Sequence, residues 1–265
     1  MQQELKDKSI SICGMRINMI QIPEVVQTME DWIIHKRLGN YIVVSNAYDV
    51  VIGRNSIEVK KAANNSSFSV PDGISMVILS RLYGHKLKRR VYGPDLMLEF
   101  FKVAEKRGYT NFFYGSTLQT LEALVNNLKK RFPSLSVVGI YAPPFRNNIE
   151  IDEKEIEIIN NASPDVLWVG LGCPKQQLWM YKHKDKLKVP VMVGVGAAFD
   201  FLAGTKPQAP RWIRDNGFEW LFRLISEPKR LWRRYLINGP IFLYFACKQI
   251  FFDILLNKKK NLSNV

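Results

Sequence analysis

Short apolar runs alternate with segments of helical periodicity as far as about Gly204, and this alternation constrains the fold more than any other feature. The apolar runs predict strands at residues 41–46, 67–71, 111–115, 135–141, 165–172 and 189–196. Between them, helical spacing predicts helices near residues 23–37, 74–83, 95–107, 117–132, 152–161 and 175–186. We therefore predict an α/β core over residues 1–204, a Rossmann-like, mostly parallel sheet with helices on both faces. Several strands are almost wholly apolar, as expected for strands covered on both faces.

Beyond Gly204 the sequence changes to helical segments rich in arginine and aromatic residues. Ser226, Glu227 and Pro228 predict a helix start, since proline is well tolerated in the first turn. Stepping about 100° per residue along this helix separates a cationic stripe (Arg230, Arg233, Arg234) from an apolar one (Leu231, Trp232, Tyr235, Leu236). The sequence thus predicts a helical appendage over residues 205–257 and a disordered basic tail over residues 258–265.

The net charge indicates which partners the chain can take. The 265 residues carry a formal charge of +14, which favours polyanions, anionic lipid or phosphorylated substrates. The apolar run at 241–256 is shorter than the ~20 residues that span a bilayer, so it predicts an interfacial helix on an anionic membrane surface. The N-terminus shows no signal-peptide pattern, and three widely spaced cysteines give no disulfide framework. Both observations favour a cytoplasmic location.

One aspartate stands where a ligand is expected in a fold of this class. Open α/β sheets bind ligands outside the carboxyl ends of their strands. Asp72, within Pro71-Asp72-Gly73, follows a predicted strand at that edge. It fits either the N-cap of the next helix or a general base acting on a hydroxyl nucleophile.

Other strand-end residues suggest how anions would be bound. Arg90 precedes a Gly-Pro turn and could bind a phosphate, and glycine-rich turns after residues 170 and 194 offer backbone amides. Pro174-Lys175 replaces the third glycine of a dinucleotide fingerprint, which disfavours NAD. The sequence has no Asp-x-Asp pair or Walker A motif, and its three histidines show no metal-site spacing. We therefore predict no metal and no cofactor; if the site handles diphosphate charge, arginine, lysine and backbone amides must do so.

Taken together, the motifs VPDG, RRVYGPDL, GLGCPKQQ, GVGAAFDFLAG and GFEWLFRLISEPKRLWRRYL resemble the WecG/TagA/CpsF glycosyltransferase family. The resemblance runs in order over about residues 9–237. It implies transfer of N-acetylmannosamine or a related sugar from a UDP-sugar donor to a polyprenyl-diphosphate-linked acceptor. In this family the reaction inverts the anomeric centre without a bound metal and serves polysaccharide or teichoic acid synthesis.

The resemblance also implies roles for individual residues. Asp72 corresponds to the catalytic base. The donor and diphosphate site corresponds to Asn46, Arg90, Gln176, Asp200, Arg223, Arg230 and Arg233. Two positions depart from the family pattern: Val44 stands where threonine is frequent, and Gln177 stands where glutamate ends the P-K-Q-E motif.

Two other classes of function compete with the transferase. The positive charge and the interleaved arginines and aromatics would also suit a nucleic-acid-binding protein, but the apolar segment after Gly239 suits lipid better. A nicotinamide-dependent enzyme would share the doubly wound fold. We expect the transferase, with no nucleic-acid partner, peripheral on the inner face of a bacterial cell membrane. A homo-oligomer is compatible with the sequence.

Overall fold

The computed structural model describes Leu5, residues 8–146 and residues 152–262, with side chains as far as Asp253. Its centre is a six-stranded sheet in the order β4-β3-β8-β7-β5-β6. The strands are β3 (Asn40–Ser45), β4 (Phe68–Pro71), β5 (Asn111–Gly115), β6 (Val137–Tyr141), β7 (Val166–Gly170) and β8 (Val191–Gly194). Every neighbouring pair is parallel, which confirms the predicted sheet.

Helices cover both faces of this sheet. The helices are α1 (Ile22–Ile34), α2 (Ala47–Asn55), α3 (Ile57–Asn64), α4 (Ile74–Leu82), α5 (Gly93–Arg107), α6 (Leu118–Arg131), α7 (Glu153–Ala162), α8 (Lys175–His183) and α9 (Ala198–Ala203). One core cluster joins β3, β7 and β8 to α1, α5 and α6, with Trp32, Phe100 and Trp168 fully buried. A second cluster packs the opposite faces of the strands on α7 and α8 through Trp179 and Met180. All six predicted helices are present, whereas α2, α3 and α9 had not been predicted.

A β-hairpin precedes the sheet, and the sequence pattern does not predict it. Strands β1 (Ser9–Ile12) and β2 (Met15–Asn18) pair antiparallel. They are joined by Cys13 and Gly14, both of which have positive φ, the backbone form that suits a two-residue hairpin turn. The hairpin's apolar residues form a third cluster with α2 and α4.

The segment after residue 204 is helical, in agreement with the sequence pattern. It comprises α10 (Arg211–Asp215), α11 (Glu219–Ser226), α12 (Pro228–Trp232), a π-helical turn (Arg233–Ile237) and α13 (Asn238–Leu262). Helix α12 starts at Pro228, as predicted. Helix α13 buries Phe242 and Ala246 in the hairpin cluster. Helix α13 continues through residues 258–262 of the predicted disordered tail, and residues 263–265 lie outside the described residues.

A side chain of α13 also holds the appendage to the hairpin by hydrogen bonds. The Gln249 amide donates to the Ser11 carbonyl at 2.6 Å, and the Cys13 amide donates to the Gln249 side-chain oxygen at 2.7 Å. Polar contacts and apolar burial thus fix α13 across the edge of the core. The chain segments just before α13 are thereby brought against the carboxyl ends of β3 and β4.

Candidate active site

A pocket of about 910 Å³ lies between the carboxyl ends of β3 and β4 and the appendage. Parallel pairing of Ser45 with Pro71 sets the two strand ends side by side, and the Asp72 amide donates to the Ser45 carbonyl at 2.7 Å. Core and appendage both line the pocket, with Asn46, Tyr48, Asp72, Arg90 and Tyr92 on one side and Arg214, Glu219, Trp220, Arg223, Arg234 and Tyr235 on the other.

Two carboxylates of the pocket lining share one arginine. Arg90 Nη1 lies 3.3 Å from Asp72 Oδ1, and Arg90 Nη2 donates to Glu219 Oε2. Asp72 belongs to the core, whereas Glu219 is the first residue of α11. The Arg90 guanidinium also stacks over the Tyr92 ring, 4.3 Å from its centroid. Arg90 is therefore held in place by three side chains and bridges the core to the appendage.

Asp72 caps no helix, and its surroundings raise its affinity for a proton. The N-cap of α4 is Gly73, and the cap makes no side-chain hydrogen bond, so the alternative interpretation of Asp72 as an N-cap is wrong. Burial raises the pKa of Asp72 to about 6. Arg90 acts to lower this pKa, and Glu219 acts to raise it further. A carboxylate with a pKa just below neutrality is ionised at pH 7 and still accepts a proton well.

Two arginines of the appendage reach the pocket without a carboxylate partner among the described residues. Arg223 lies 5.4 Å from the Phe201 ring centroid, and its buried Nε has no hydrogen-bond partner there. Arg234 stacks over Tyr48 at 4.8 Å. Burial acts to lower the pKa of Arg234, but Tyr235, Asp49, Cys173 and Asp72 raise it above its ordinary value. Two fixed guanidinium groups of this kind suit a diphosphate.

Arg234 is a pocket residue that the assignment by resemblance missed. It follows Arg233, and both belong to the π-helical turn, where each turn of backbone contains more residues than in an α-helix. The angular steps of an α-helix place Arg230, Arg233 and Arg234 on one stripe and do not separate them, whereas the π-helical turn changes those steps. Arg234 lines the pocket, whereas Arg230 and Arg233 are exposed and outside its lining.

Comparison with known proteins identifies the family to which the chain belongs. The sequence profile of the Glycosyl transferase WecG/TagA/CpsF family matches residues 10–254. The chain belongs to this family. It is therefore a glycosyltransferase, and the resemblance stated from its motifs is confirmed.

Similar proteins occur in Staphylococcus aureus and in two species of Bacillus. The chain is 29% identical to a protein of Staphylococcus aureus over 90% of its own length and 92% of the relative's. It is 29% identical to one of Bacillus subtilis over 80% of each chain, and 27% identical to one of Bacillus spizizenii over 82% of each. Each of the three is named N-acetylglucosaminyldiphosphoundecaprenol N-acetyl-beta-D-mannosaminyltransferase.

The eight residues that the family resemblance assigned to the site do not all meet in one place. Asp72, Asn46, Arg90 and Arg223 line the pocket. Asn46 also caps α2, since its side chain accepts from the Tyr48 amide at 3.0 Å. Gln176 is buried at the neighbouring strand ends, where its side chain accepts from the Gly172 amide at 3.2 Å. This bond holds the turn that follows β7, and the same side chain lies against Gly194 and Gly196 at the turn that follows β8.

Asp200 and Arg230 belong to a chain of ion pairs outside the pocket lining. Lys206 lies 3.2 Å from Asp200 and 3.1 Å from Glu227, and Glu227 accepts two hydrogen bonds from Arg230 at 2.6 Å. This series of ion pairs links α9 of the core to α12 of the appendage. In the structure, these two residues therefore connect the two parts of the protein, and their proposed contact with a donor stays a prediction.

The two departures from the family pattern both lie in packed surroundings. Val44 is buried in the main core cluster. Gln177 is 1% exposed, and its amide donates to the buried carboxylate of Asp49 at 2.5 Å. A glutamate at this position would bring a second acceptor against Asp49 unless one of the two were protonated. Glutamine is thus a favourable partner for Asp49 in this chain.

The pocket also has an apolar side, formed by Ile74 and Val77 of α4 and by Phe242 and Leu243 of α13. No helix within the described ranges combines the length and apolar character needed to cross a bilayer. Over the same residues, no group of three or more His, Cys, Asp or Glu side chains is placed to hold a metal ion.

Proposed function

We propose that this protein transfers N-acetylmannosamine or a related sugar from a UDP-sugar to a polyprenyl-diphosphate-linked sugar acceptor, in the synthesis of cell-surface polysaccharide or teichoic acid. The observation that carries the proposal is the combination, in one pocket, of a carboxylate with a raised pKa and two guanidinium groups that have no carboxylate partner among the described residues. The names of the relatives supply the sugar and the lipid-linked acceptor.

In the proposed reaction, Asp72 accepts the proton of an acceptor hydroxyl as that oxygen attacks C1 of the donor sugar. The new bond between C1 and the acceptor oxygen forms as the bond between C1 and the UDP oxygen breaks. Attack from the face opposite the leaving group inverts the anomeric centre. Negative charge that develops on the departing diphosphate is stabilised by Arg223 and Arg234, which are already positioned before the reaction begins.

We further propose that transfer needs no divalent metal. The chemical task of a metal in such a reaction is to neutralise charge on the leaving diphosphate. Arg223 and Arg234 offer two positive charges for this task, and both are fixed against aromatic rings. Guanidinium groups held in this way bind phosphate oxygens with directional hydrogen bonds.

The proposal places the protein in the cytoplasm, on the inner face of the cell membrane, where a polyprenyl-linked substrate is anchored. Tyr244, Phe251 and Phe252 are exposed large side chains on α13. Aromatic residues beside a basic segment suit the interface of an anionic leaflet, where each Lys or Arg near the surface adds about 1 kcal/mol of attraction.

A defined transfer assay tests the proposed function. The purified protein is incubated with UDP-N-acetylmannosamine or UDP-N-acetylglucosamine and with a short-chain polyprenyl-diphosphate-linked N-acetylglucosamine, and products are detected by mass. We expect one added N-acetylhexosamine, with a preference for the manno donor. GDP-mannose serves as a donor control that should give no product. Failure of every UDP-sugar with every polyprenyl-diphosphate acceptor would contradict the proposal.

A further inference from the structure

Glu219 occupies an unusual position for a carboxylate. It is only 7% exposed, faces the pocket, and hydrogen-bonds the same guanidinium that contacts Asp72. Arg90 therefore lies between one carboxylate of the core and one of the appendage. Burying a carboxylate costs free energy unless it is paired, so the contact with Arg90 accounts for how Glu219 can be buried.

The effect of this arrangement on Asp72 follows from electrostatics. An unshared arginine about 3–4 Å from an aspartate lowers the aspartate's pKa by about 1–3 units and makes it a poor base. Glu219 offsets the charge of Arg90 in the same dry surroundings. The carboxylate of Asp72 then feels less of the positive charge and keeps a higher affinity for a proton.

Other charged groups face Asp72, and they do not replace Glu219. Those that bear on its ionisation include Arg90, Arg223 and Arg234, which lower its pKa, and Glu219, which raises it. Tyr92 lies on the same side, and its own pKa is raised by burial and by Glu219. Farther along the pocket wall stand Arg81, Lys88, Arg89, Asp95, Arg214 and Asp215. Among the groups that bear most on the ionisation of Asp72, the positive charges outnumber the single negative one.

We propose that Glu219 is a positioning residue for the transfer reaction: by pairing with Arg90 it keeps Asp72 free to act as the base. This inference rests on the proposed function of Asp72. It assigns to the appendage a role distinct from binding diphosphate, because the appendage also sets the basicity of a residue in the core.

A consequence is that the proton affinity of the base depends on whether the appendage is docked. Glu219 reaches Arg90 because the loop before α11 approaches α4 closely at Gly217, where φ is +81° and an added Cβ would lie 3.0 Å from Ile74. If the appendage moved away, Arg90 would be left to pair with Asp72 alone. Arg223 and Arg234, which also lower the pKa of Asp72, would leave with the appendage, and Asp72 would lose part of the burial that raises its pKa.

The variant Glu219→Gln tests the inference, because it keeps the size and the acceptor oxygen but removes the charge. Carbon-13 carboxyl NMR of the full chain measures the pKa of Asp72 without requiring turnover. We expect that pKa to fall by about 1 unit, as for a carboxylate left beside an unshared arginine. The acidic limb of the pH profile of kcat/KM should move down by a similar amount, and kcat at pH 7 should fall at least ~3-fold as the base weakens.

Two matched variants separate this role from a merely structural one. Glu219→Asp restores the charge and should return the pKa of Asp72 and the acidic limb toward those of the parent protein. Glu99→Gln removes an equal charge from an exposed pair with Lys102 on α5 and should change neither. If Glu219→Gln only destabilised the fold, its Tm would fall while the acidic limb of kcat/KM stayed where it is in the parent protein, and the inference would be contradicted.

An unchanged pKa of Asp72 in Glu219→Gln would overturn the inference, whatever happens to the rate. The proposed function is tested separately by Asp72→Asn. If that variant turned over normally, Asp72 would not be the base, and both the proposed mechanism and the role of Glu219 in it would be rejected.

Discussion

Arg234 gives the sharpest test of the pocket geometry, because its neighbour Arg233 is the residue that the family resemblance assigns. In Arg234→Ala, the donor diphosphate would lose a charge-assisted hydrogen bond worth about 1.5–3 kcal/mol. Because about 1.4 kcal/mol corresponds to a tenfold rate change, kcat/KM should fall roughly 10- to 100-fold. The stack on Tyr48 at 4.8 Å fixes this guanidinium in advance, which favours the upper part of that range.

The assay is steady-state transfer to a soluble short-chain acceptor, together with calorimetric titration of UDP. Arg234→Lys keeps the charge but loses the planar fork, so it should recover only part of the activity. Lys229→Ala removes a charge from an exposed position on α12 and serves as the matched control. Parent activity in Arg234→Ala, combined with a large loss in Arg233→Ala, would refute the geometric assignment and support the one based on resemblance.

Three further predictions follow from the site and the appendage. Arg90→Gln removes the positive charge nearest Asp72, so the pKa of Asp72 should rise above about 6 and the acidic limb of kcat/KM should move to higher pH; a downward shift would contradict the charge arrangement. Transfer should survive EDTA, and loss of activity that Mg²⁺ or Mn²⁺ restores would mean that a metal neutralises the leaving group. The double change Phe251→Ser and Phe252→Ser should weaken sedimentation with anionic liposomes while sparing transfer to a soluble acceptor, and unchanged liposome binding would place the membrane contact elsewhere.

The sheet and part of the site could be predicted because strong local signals encode them. Strands buried on both faces appear in a sequence as continuous apolar runs, and ligands bind at the carboxyl ends of such strands. Asp72 and Arg90 could be selected on these grounds, and the structure places Arg90 Nη1 3.3 Å from Asp72 Oδ1. Asp72 lies within Pro71-Asp72-Gly73, and Arg90 lies three residues before Gly93-Pro94, which the sequence pattern marked as a turn and which begin α5 in the structure.

The remaining features depend on information that a local pattern does not contain. The β1–β2 hairpin has strands of four residues, too short for a clear alternation, and its turn uses Cys13 with positive φ, a conformation that cysteine seldom adopts. The inward position of Arg234 depends on a π-helical turn, which changes the angular step. The role of Glu219 depends on a contact 129 residues away in sequence, which only the docked appendage creates.

The central claim is that Asp72 acts as the base in sugar transfer, and a comparison of the parent protein with Asp72→Asn tests it most directly. Single-turnover formation of the N-acetylhexosamine adduct on a short-chain polyprenyl-diphosphate acceptor is measured by mass, with UDP-sugar binding measured in parallel. The account predicts near-normal donor binding and a rate at least ~100-fold lower in Asp72→Asn, the usual contribution of a general base. Adduct formation at the parent rate would contradict it.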